Sequence, residues 1–205
     1  MISPPPPPGS LRRRSLLRAL GVAAFRVLPG GAAATALLGP TPPARASAPE
    51  LTAFELTRDE DGVYLSYAVE FDLGRSVDDA LVKSVPLFFV AEAEVFRDRW
   101  YWRDRRVAHA VRTWRIVYQP LTSTYRVTTI GGLSQTYPTR VEAIASFSRG
   151  ARWKIAEPGQ LDEGGRHYLE FHYRLDTTQL PRPMQIGISG EPDWQLSVKR
   201  TLRIN

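Results

Sequence analysis

From Glu50 onward, apolar and polar residues alternate along most of the chain, which is the pattern of strands with one buried face. The cleanest run is residues 63–73, with Val63, Leu65, Tyr67, Val69, Phe71 and Leu73 on one side. A run over 50–57 precedes it, and Asp59-Glu60-Asp61-Gly62 joins the two. This pair predicts a hairpin whose glycine takes the positive-φ position. Further strands are predicted over 87–102, 107–119, 121–130, 151–157, 166–175, 184–189 and 195–204. Residues 159–165 read as a hairpin loop between the strands at 151–157 and 166–175.

Two stretches break the alternation. At 76–84, Ser76 suits an N-cap, Asp78 and Asp79 suit the first turn, and Val77, Ala80 and Leu81 share a face. Pro86 stops that helix. Thr139-Arg140-Val141-Glu142 is a capping box after Pro138, followed by a stripe of Val141, Ile144, Ala145 and Ser148, with Gly150 as C-terminal cap. Strands outnumber helices and their links are mostly short. The fold class predicted is mainly β or α+β: one antiparallel, sandwich-like domain with two short helices over residues 49–205.

The first 48 residues stand apart from this domain. A proline run, Pro4 to Pro8, precedes Arg12-Arg13-Arg14 and a weakly apolar stretch from Leu16 to Leu38. Ala44-Arg45-Ala46 and Ala46-Ser47-Ala48 both fit a small-x-small cleavage site. Basic, apolar and small-residue regions in that order predict an export signal cleaved after Ala46 or Ala48, and hence a periplasmic or cell-envelope protein. Arg26 and Pro29-Gly30-Gly31 make the stretch a poor bilayer span, so an uncleaved tether is the lesser reading. Arg13-Arg14-Ser15-Leu16-Leu17-Arg18 also fits a twin-arginine signal; an ordinary basic start is preferred, because no cofactor motif accompanies it.

Removing the leader changes the meaning of the charge. The net +6 equals the six arginines before Ser47, which leaves 27 − 6 = 21 basic residues against 21 acidic ones. The basic pI is therefore no argument for nucleic-acid binding. The mature charge is segregated: residues 50–94 hold eleven acids and three bases, and residues 95–152 hold eleven bases and three acids. Pairing between these two thirds is expected. The absence of cysteine excludes a disulfide framework and a thiol nucleophile.

The most distinctive chemistry lies between Phe96 and Arg106, where Trp100, Tyr101 and Trp102 sit among Arg97, Arg99, Arg103, Arg105 and Arg106. A two-residue turn at Asp104-Arg105 would set Glu94 opposite Arg115 and Arg97 opposite Arg112. That register turns Tyr101 inward with Ala91, Ala93, Val95, Ala108, Ala110, Trp114, Ile116 and Tyr118. It puts Trp100 and Trp102 on the other face with His109. Arg97 and Arg112 then need carboxylates, and Glu70 or Asp72 are candidates. Cover by a helix or second sheet is the preferred reading of the indoles. The functional reading is a binding platform of Trp100, Trp102, Arg103, Arg105, Arg106 and His109 for a sugar, peptide or acyl chain.

Other motifs are mostly negative. His167 and His172 are five apart on one predicted strand and face opposite ways, so no zinc site is expected. Asp59-Glu60-Asp61-Gly62 and Asp162-Glu163-Gly164-Gly165 lack the later ligands of a calcium loop. No phosphate cradle and no nucleophile elbow is present, and nothing selects a serine for a triad. No catalytic residue and no cofactor is assigned. Between Leu175 and Gln185, Asp176 caps a turn that Pro181 ends, and Pro183 leads into an edge strand at 184–189 open to a partner strand.

Arg99-Trp100-Tyr101-Trp102, Arg112-x-Trp114, Tyr118-x-x-Leu121-Thr122-x-x-Tyr125-Arg126, Leu175-Asp176 with Leu180-Pro181-x-Pro183-x-Gln185, and Asp193-Trp194 carry a family resemblance. Together they resemble an exported proteobacterial family classed only as a domain of unknown function, family 4390. The resemblance covers Leu51 to the C-terminus. It implies an envelope protein of unassigned activity. Its gene often neighbours that of a membrane sensor histidine kinase, which implies a signalling-accessory role beside a membrane sensor or other envelope protein. It carries over no catalytic residue.

The resulting expectation is a non-catalytic periplasmic binding or signalling-accessory module, peripheral to the membrane at most. The alternatives are a structural or chaperone-like envelope protein that pairs through a sheet edge, and a cell-envelope hydrolase. Mass spectrometry of the mature protein is expected to show a start at Ser47 or Pro49; an intact Met1 start would refute cleavage.

Overall fold

The computed structural model describes residues 48–99, 101, 103–162, 164–188 and 190–204. Residues 1–47, Trp100 and Trp102 lie outside the described residues, so the readings made on them do too. In chain order the elements are β1 (Glu50–Asp59), β2 (Gly62–Glu70), α1 (Arg75–Val82), β3 (Leu87–Arg97), β4 (Arg105–Gln119), β5 (Thr124–Thr129), β6 (Ser134–Tyr137) and α2 (Arg140–Ala145). β7 (Arg149–Ala156), β8 (His167–Leu175), α3 (Arg182–Gly187) and β9 (Ser197–Ile204) follow. Single 3-10 turns occupy Thr177–Gln179 and Pro192–Trp194.

All strand pairing is antiparallel. One sheet has the order β1-β2-β7 and the other β6-β5-β4-β3-β8-β9. Alternation along each strand explains the layering. On β2, Val63, Leu65, Tyr67 and Val69 are buried while Tyr64, Ser66 and Ala68 are only half-buried. Phe89, Ala91, Ala93 and Val95 of β3 and Leu169, Phe171, Tyr173 and Leu175 of β8 are buried in the same core cluster. The expected mainly β, sandwich-like domain is what forms.

Small residues set how closely aromatic rings fit. The Tyr67 ring lies 4.8 Å from Phe171 and 6.3 Å from Tyr173, centre to centre. A Cβ on Gly150 would come within 2.4 Å of the Tyr67 ring. Gly150 is therefore not the cap of α2 that the sequence pointed to. It lies in β7 and makes room for Tyr67, while Ser146 caps α2. The N-cap half of the capping box forms, with the Glu142 N–H donating to Thr139 Oγ1 at 3.2 Å, while the Glu142 carboxylate accepts from the Thr139 hydroxyl at 2.8 Å. α1 is capped from a distance. The Asp193 carboxylate accepts from the Ser76 N–H at 3.0 Å and from its hydroxyl at 3.1 Å. Gly74 leaves the space, since a Cβ there would sit 2.4 Å from Asp193. Ser76 is thus held by a cap rather than being one.

Two expectations are corrected, and one strand was not expected. The strand expected over 184–189 does not form at Met184–Gly187, which belong to α3 (Arg182–Gly187), and Ser189 lies outside the described residues. Met184, Ile186 and Ile188 fit a period of two, but Met184 and Ile188 are also one helical turn apart. Those two pack against the core, and Ile186 is 81% exposed. Pro183 sits within the first helical turn, where a missing N–H costs nothing. β6 escaped notice because Ser134–Tyr137 has no apolar alternation. Finally, β7 and β8 do not form a hairpin: β7 pairs with β2 and β8 with β3, so their connection passes between sheets.

The hydroxyls of Tyr67 and Tyr173 are buried without a hydrogen-bond partner among the described residues. Burial pushes both phenols up from their ordinary range. An unpaired buried hydroxyl costs about 1–3 kcal/mol. Tyr173→Phe is therefore expected to leave stability unchanged or raise it by about 1 kcal/mol in urea denaturation. A clear loss would show that the hydroxyl is satisfied in solution.

Candidate functional site

The region singled out by the sequence is the far end of the β3–β4 ribbon. Leu87 pairs with Ile116 and the ladder continues to Val95 opposite Ala108; after a bulge, Phe96 meets Arg106 and Arg97 meets Arg105. A two-residue turn is not what joins them. β3 ends at Arg97 and β4 begins at Arg105, which leaves a longer connecting loop, and Glu94 faces His109 instead of Arg115. The register is thus displaced by 115 − 109 = 6 residues. An even displacement keeps every side chain on its face. Ala91, Ala93, Val95, Ala108, Trp114 and Ile116 are accordingly buried as expected. Tyr101 is the exception, because it lies in the loop and is 80% exposed.

Aspartates tie this loop back onto β8. The Asp98 N–H donates to the Arg166 carbonyl at 2.8 Å, and Asp98 also pairs with Arg166 at 3.5 Å. Asp104 accepts from the Arg99 N–H at 3.2 Å and from the Tyr168 hydroxyl at 2.8 Å. The Tyr168 ring stacks on Phe96, with centres 5.3 Å apart. Burial first, and the Asp104 hydrogen bond second, push the Tyr168 phenol up to about 12. Asp104 is thus a tether for the loop, not a turn residue.

Of the candidate site residues, Arg103, Arg105, Arg106 and His109 are all exposed here. Arg106 pairs with Glu94 at 2.5 Å, and His109 Nε2 lies 3.0 Å from Glu92. Arg103 and Arg105 have no acidic partner among the described residues. Arg97 pairs with Asp162 of the β7–β8 connection, where the sequence pointed to Glu70 or Asp72. Arg112 lies 5.1 Å over the Trp153 ring. The expected pairing of the acidic and basic thirds forms in part, through Asp59–Arg152, Asp78–Arg140 and Glu94–Arg106.

On the outer face of the larger sheet, Glu92 is the hub of a polar line that crosses four strands. It accepts from Arg174 at 2.7 Å and meets His109 on its other oxygen. Arg174 in turn reaches His172 Nδ1 at 3.3 Å, and His172 Nε2 lies 2.8 Å from Ser197 Oγ. Arginine only donates, so Nδ1 must accept and Nε2 must carry the proton. His172 therefore donates to Ser197 and is not placed to take its proton. His109 touches a carboxylate and His172 a hydroxyl, but neither touches both among the described residues. That arrangement does not make a nucleophilic triad. His167 faces the core, opposite to His172 as expected, with Nδ1 2.9 Å from the Gly165 carbonyl.

Glu92, Glu94 and His109 bring three ligand atoms within 4.8 Å of one another, a grouping that the sequence reading did not anticipate. Arg174 and Arg106 already neutralise both carboxylates, and two guanidinium groups oppose a cation there.

The sequence reading also missed an open groove of about 710 Å³ beside α2. Phe71, Leu73, Val141 and Ile144 form its apolar part, and Arg75, Arg140 and Arg149 line it with Glu50 and Glu70. Asp78 holds Arg140 in place and keeps its guanidinium above the ordinary range. The apolar periodicity of residues 63–73 and of 141–148 was visible. Their adjacency was not, because it depends on the return of the chain after β6.

Residues 46–204 match the family model described as Domain of unknown function (DUF4390). The chain belongs to that family. No curated protein and no solved structure matches it. Several motif residues of the DUF4390 domain have clear structural work: Asp193 caps α1, Trp114 is core, and Asp176 caps its one-turn helix by accepting from the Thr178 N–H at 3.1 Å.

The DUF4390 domain should lose stability in acid through the Glu92 line. The Arg174 hydrogen bond, and then His109, hold the Glu92 carboxyl below the ordinary range. Burial, then Arg174 and Lys199, hold His172 below its ordinary value. Both folded-state values lie under the unfolded ones, so the unfolded chain binds more protons and stability falls as the pH falls. The His172 part is lost below about pH 6.5 and the Glu92 part below about pH 4.3. Melting temperature measured against pH should show this fall. His172→Gln should flatten the upper part; an unchanged slope would remove His172 from the account.

Proposed function

We propose that this domain is an exported, non-catalytic binding module of the bacterial envelope, and that it binds through the far end of the β3–β4 ribbon. The observation that carries this reading is the pair Arg103 and Arg105. Both are exposed and have no acidic partner among the described residues, while Arg97 and Arg106 nearby are paired. In a mature chain of balanced charge, cations left without partners favour binding over bulk electrostatics. Asp104, between the two arginines in sequence, is tied to β8 through the Tyr168 hydroxyl, which anchors this end of the ribbon. The leader supports export, and the family resemblance supports an envelope partner such as a membrane sensor. Binding, not catalysis, is favoured because His172 is oriented to donate to Ser197. The edge-pairing reading at 184–189 loses its strand at Met184–Gly187, since α3 stands there.

Photo-crosslinking from position 101 in the exported full chain tests this. The expected result is an adduct with an envelope protein that disappears in the Arg103→Glu/Arg105→Glu double variant. An adduct that survives both changes would overturn the assignment of the surface.

A further inference from the structure

Beyond its arginines, the ribbon leaves half of a strand edge open. β5 pairs with β4 only from Trp114 to Gln119, whereas β3 pairs with β4 from Arg105 to Ile116. The Ile130 N–H donates to the Thr113 carbonyl at 2.8 Å, so Thr113 points its backbone away from β3. In an antiparallel strand both backbone groups of a residue point the same way and alternate with period two. Val111 and His109 therefore also direct their N–H and C=O groups away from β3. No strand is paired to that side of them among the described residues.

Side chains along this edge are graded. At one end stand the exposed apolar residues Val111, Ile130 and Leu133, at 46%, 57% and 82% exposure. At the other stand Arg106 and Arg105, with Arg103 in the adjoining loop. β4 contains no acidic residue from Arg105 to Gln119. Natural edges are blunted by charge and by bulges, and this one has both at its arginine end; its Val111 end has neither.

We propose that the β4 edge from Arg105 to Val111 is a strand-addition site for an extended segment of another protein, acidic at one end and apolar at the other. The inference rests on the reading above that the ribbon binds a partner, and it names how. Backbone hydrogen bonds to His109 and Val111 hold the segment, and side chains on alternate positions select it. The acidic end meets Arg103 and Arg105; the apolar end covers Val111 and Ile130. Charge argues against a second copy as occupant. Antiparallel self-pairing about His109 would set Arg106 opposite Arg112, and like charges directly opposite are destabilising.

The test uses the full chain and a labelled peptide of about ten residues, with glutamates alternating in one half and valines in the other. A control peptide carries lysines in place of the glutamates. Fluorescence anisotropy is expected to show binding of the acidic peptide at least about tenfold tighter than the control. Hydrogen exchange at the His109 and Val111 amides should slow when the acidic peptide is bound. Val111→Pro removes an outward N–H without touching the β3 ladder, and should weaken binding by about tenfold with the melting temperature preserved. Should that variant misfold, the exchange experiment on the unaltered chain decides. Peptide binding that leaves both amides unprotected means charge attraction alone and overturns strand addition, while the ribbon-end reading survives. No binding of the acidic peptide, with the arginine-dependent crosslink intact, overturns the inference in the same way. Edge-to-edge dimers of the chain in sedimentation, competing with the peptide, would assign the edge to a second copy instead.

Discussion

The contact between the two sheets is aromatic, and the rest of the domain is arranged around it. Tyr67 from the small sheet packs against Phe171 and Tyr173 from the large one, with Trp153 6.2 Å away on its own sheet. Phe89 extends the cluster to Phe147 at 4.8 Å, beyond α2. With no cysteine to cross-link it, the domain depends on this packing. Gly150, Ala91 and Ala93 matter because they are small: a Cβ at 150 would strike the Tyr67 ring. The close fit also leaves two phenolic oxygens without partners in the core.

That inner contact frees the outer face of the large sheet for polar chemistry. Glu92 gathers Arg174 and His109, and through Arg174 the line reaches His172 and Ser197. Such a line sets the charge of Glu92 against that of Arg174. At the ribbon end, Arg103 and Arg105 stand exposed without an acidic partner among the described residues. The same geometry opens the β4 edge. β4 outruns β5, and the β5–β6 turn stops at the level of Thr113. Unpartnered cations and, among the described residues, an unpaired stretch of β4 therefore lie side by side.

How far the sequence could be read depends on the range of the interaction concerned. Alternation along 63–70, 87–97 and 167–175 is a local property, and it assigned buried and exposed faces correctly. The N-cap half of the capping box at Thr139 and Glu142 is equally local and formed as read. The ribbon register was misjudged because Asp104-Arg105 looks like a turn, while Asp104 is held by Tyr168, 64 residues away. Gly150 was misjudged for the same kind of reason, since its neighbour Tyr67 belongs to another strand. At Met184-Gln185-Ile186-Gly187-Ile188, five residues satisfied both periods, and packing chose the helix.

The candidate site divides along the same line. Its residue types, the arginines and aromatics of 96–106, were evident from composition, as were the charge balance and the family. The exposure of Arg103 and Arg105, the Glu92 hub and the open β4 edge were decided only in three dimensions. Periodicity reports which side a residue faces, because that follows from the backbone of its own strand. Partners, register and free edges follow from how far each strand outlasts its neighbour, and that is settled by contacts between residues distant in the chain.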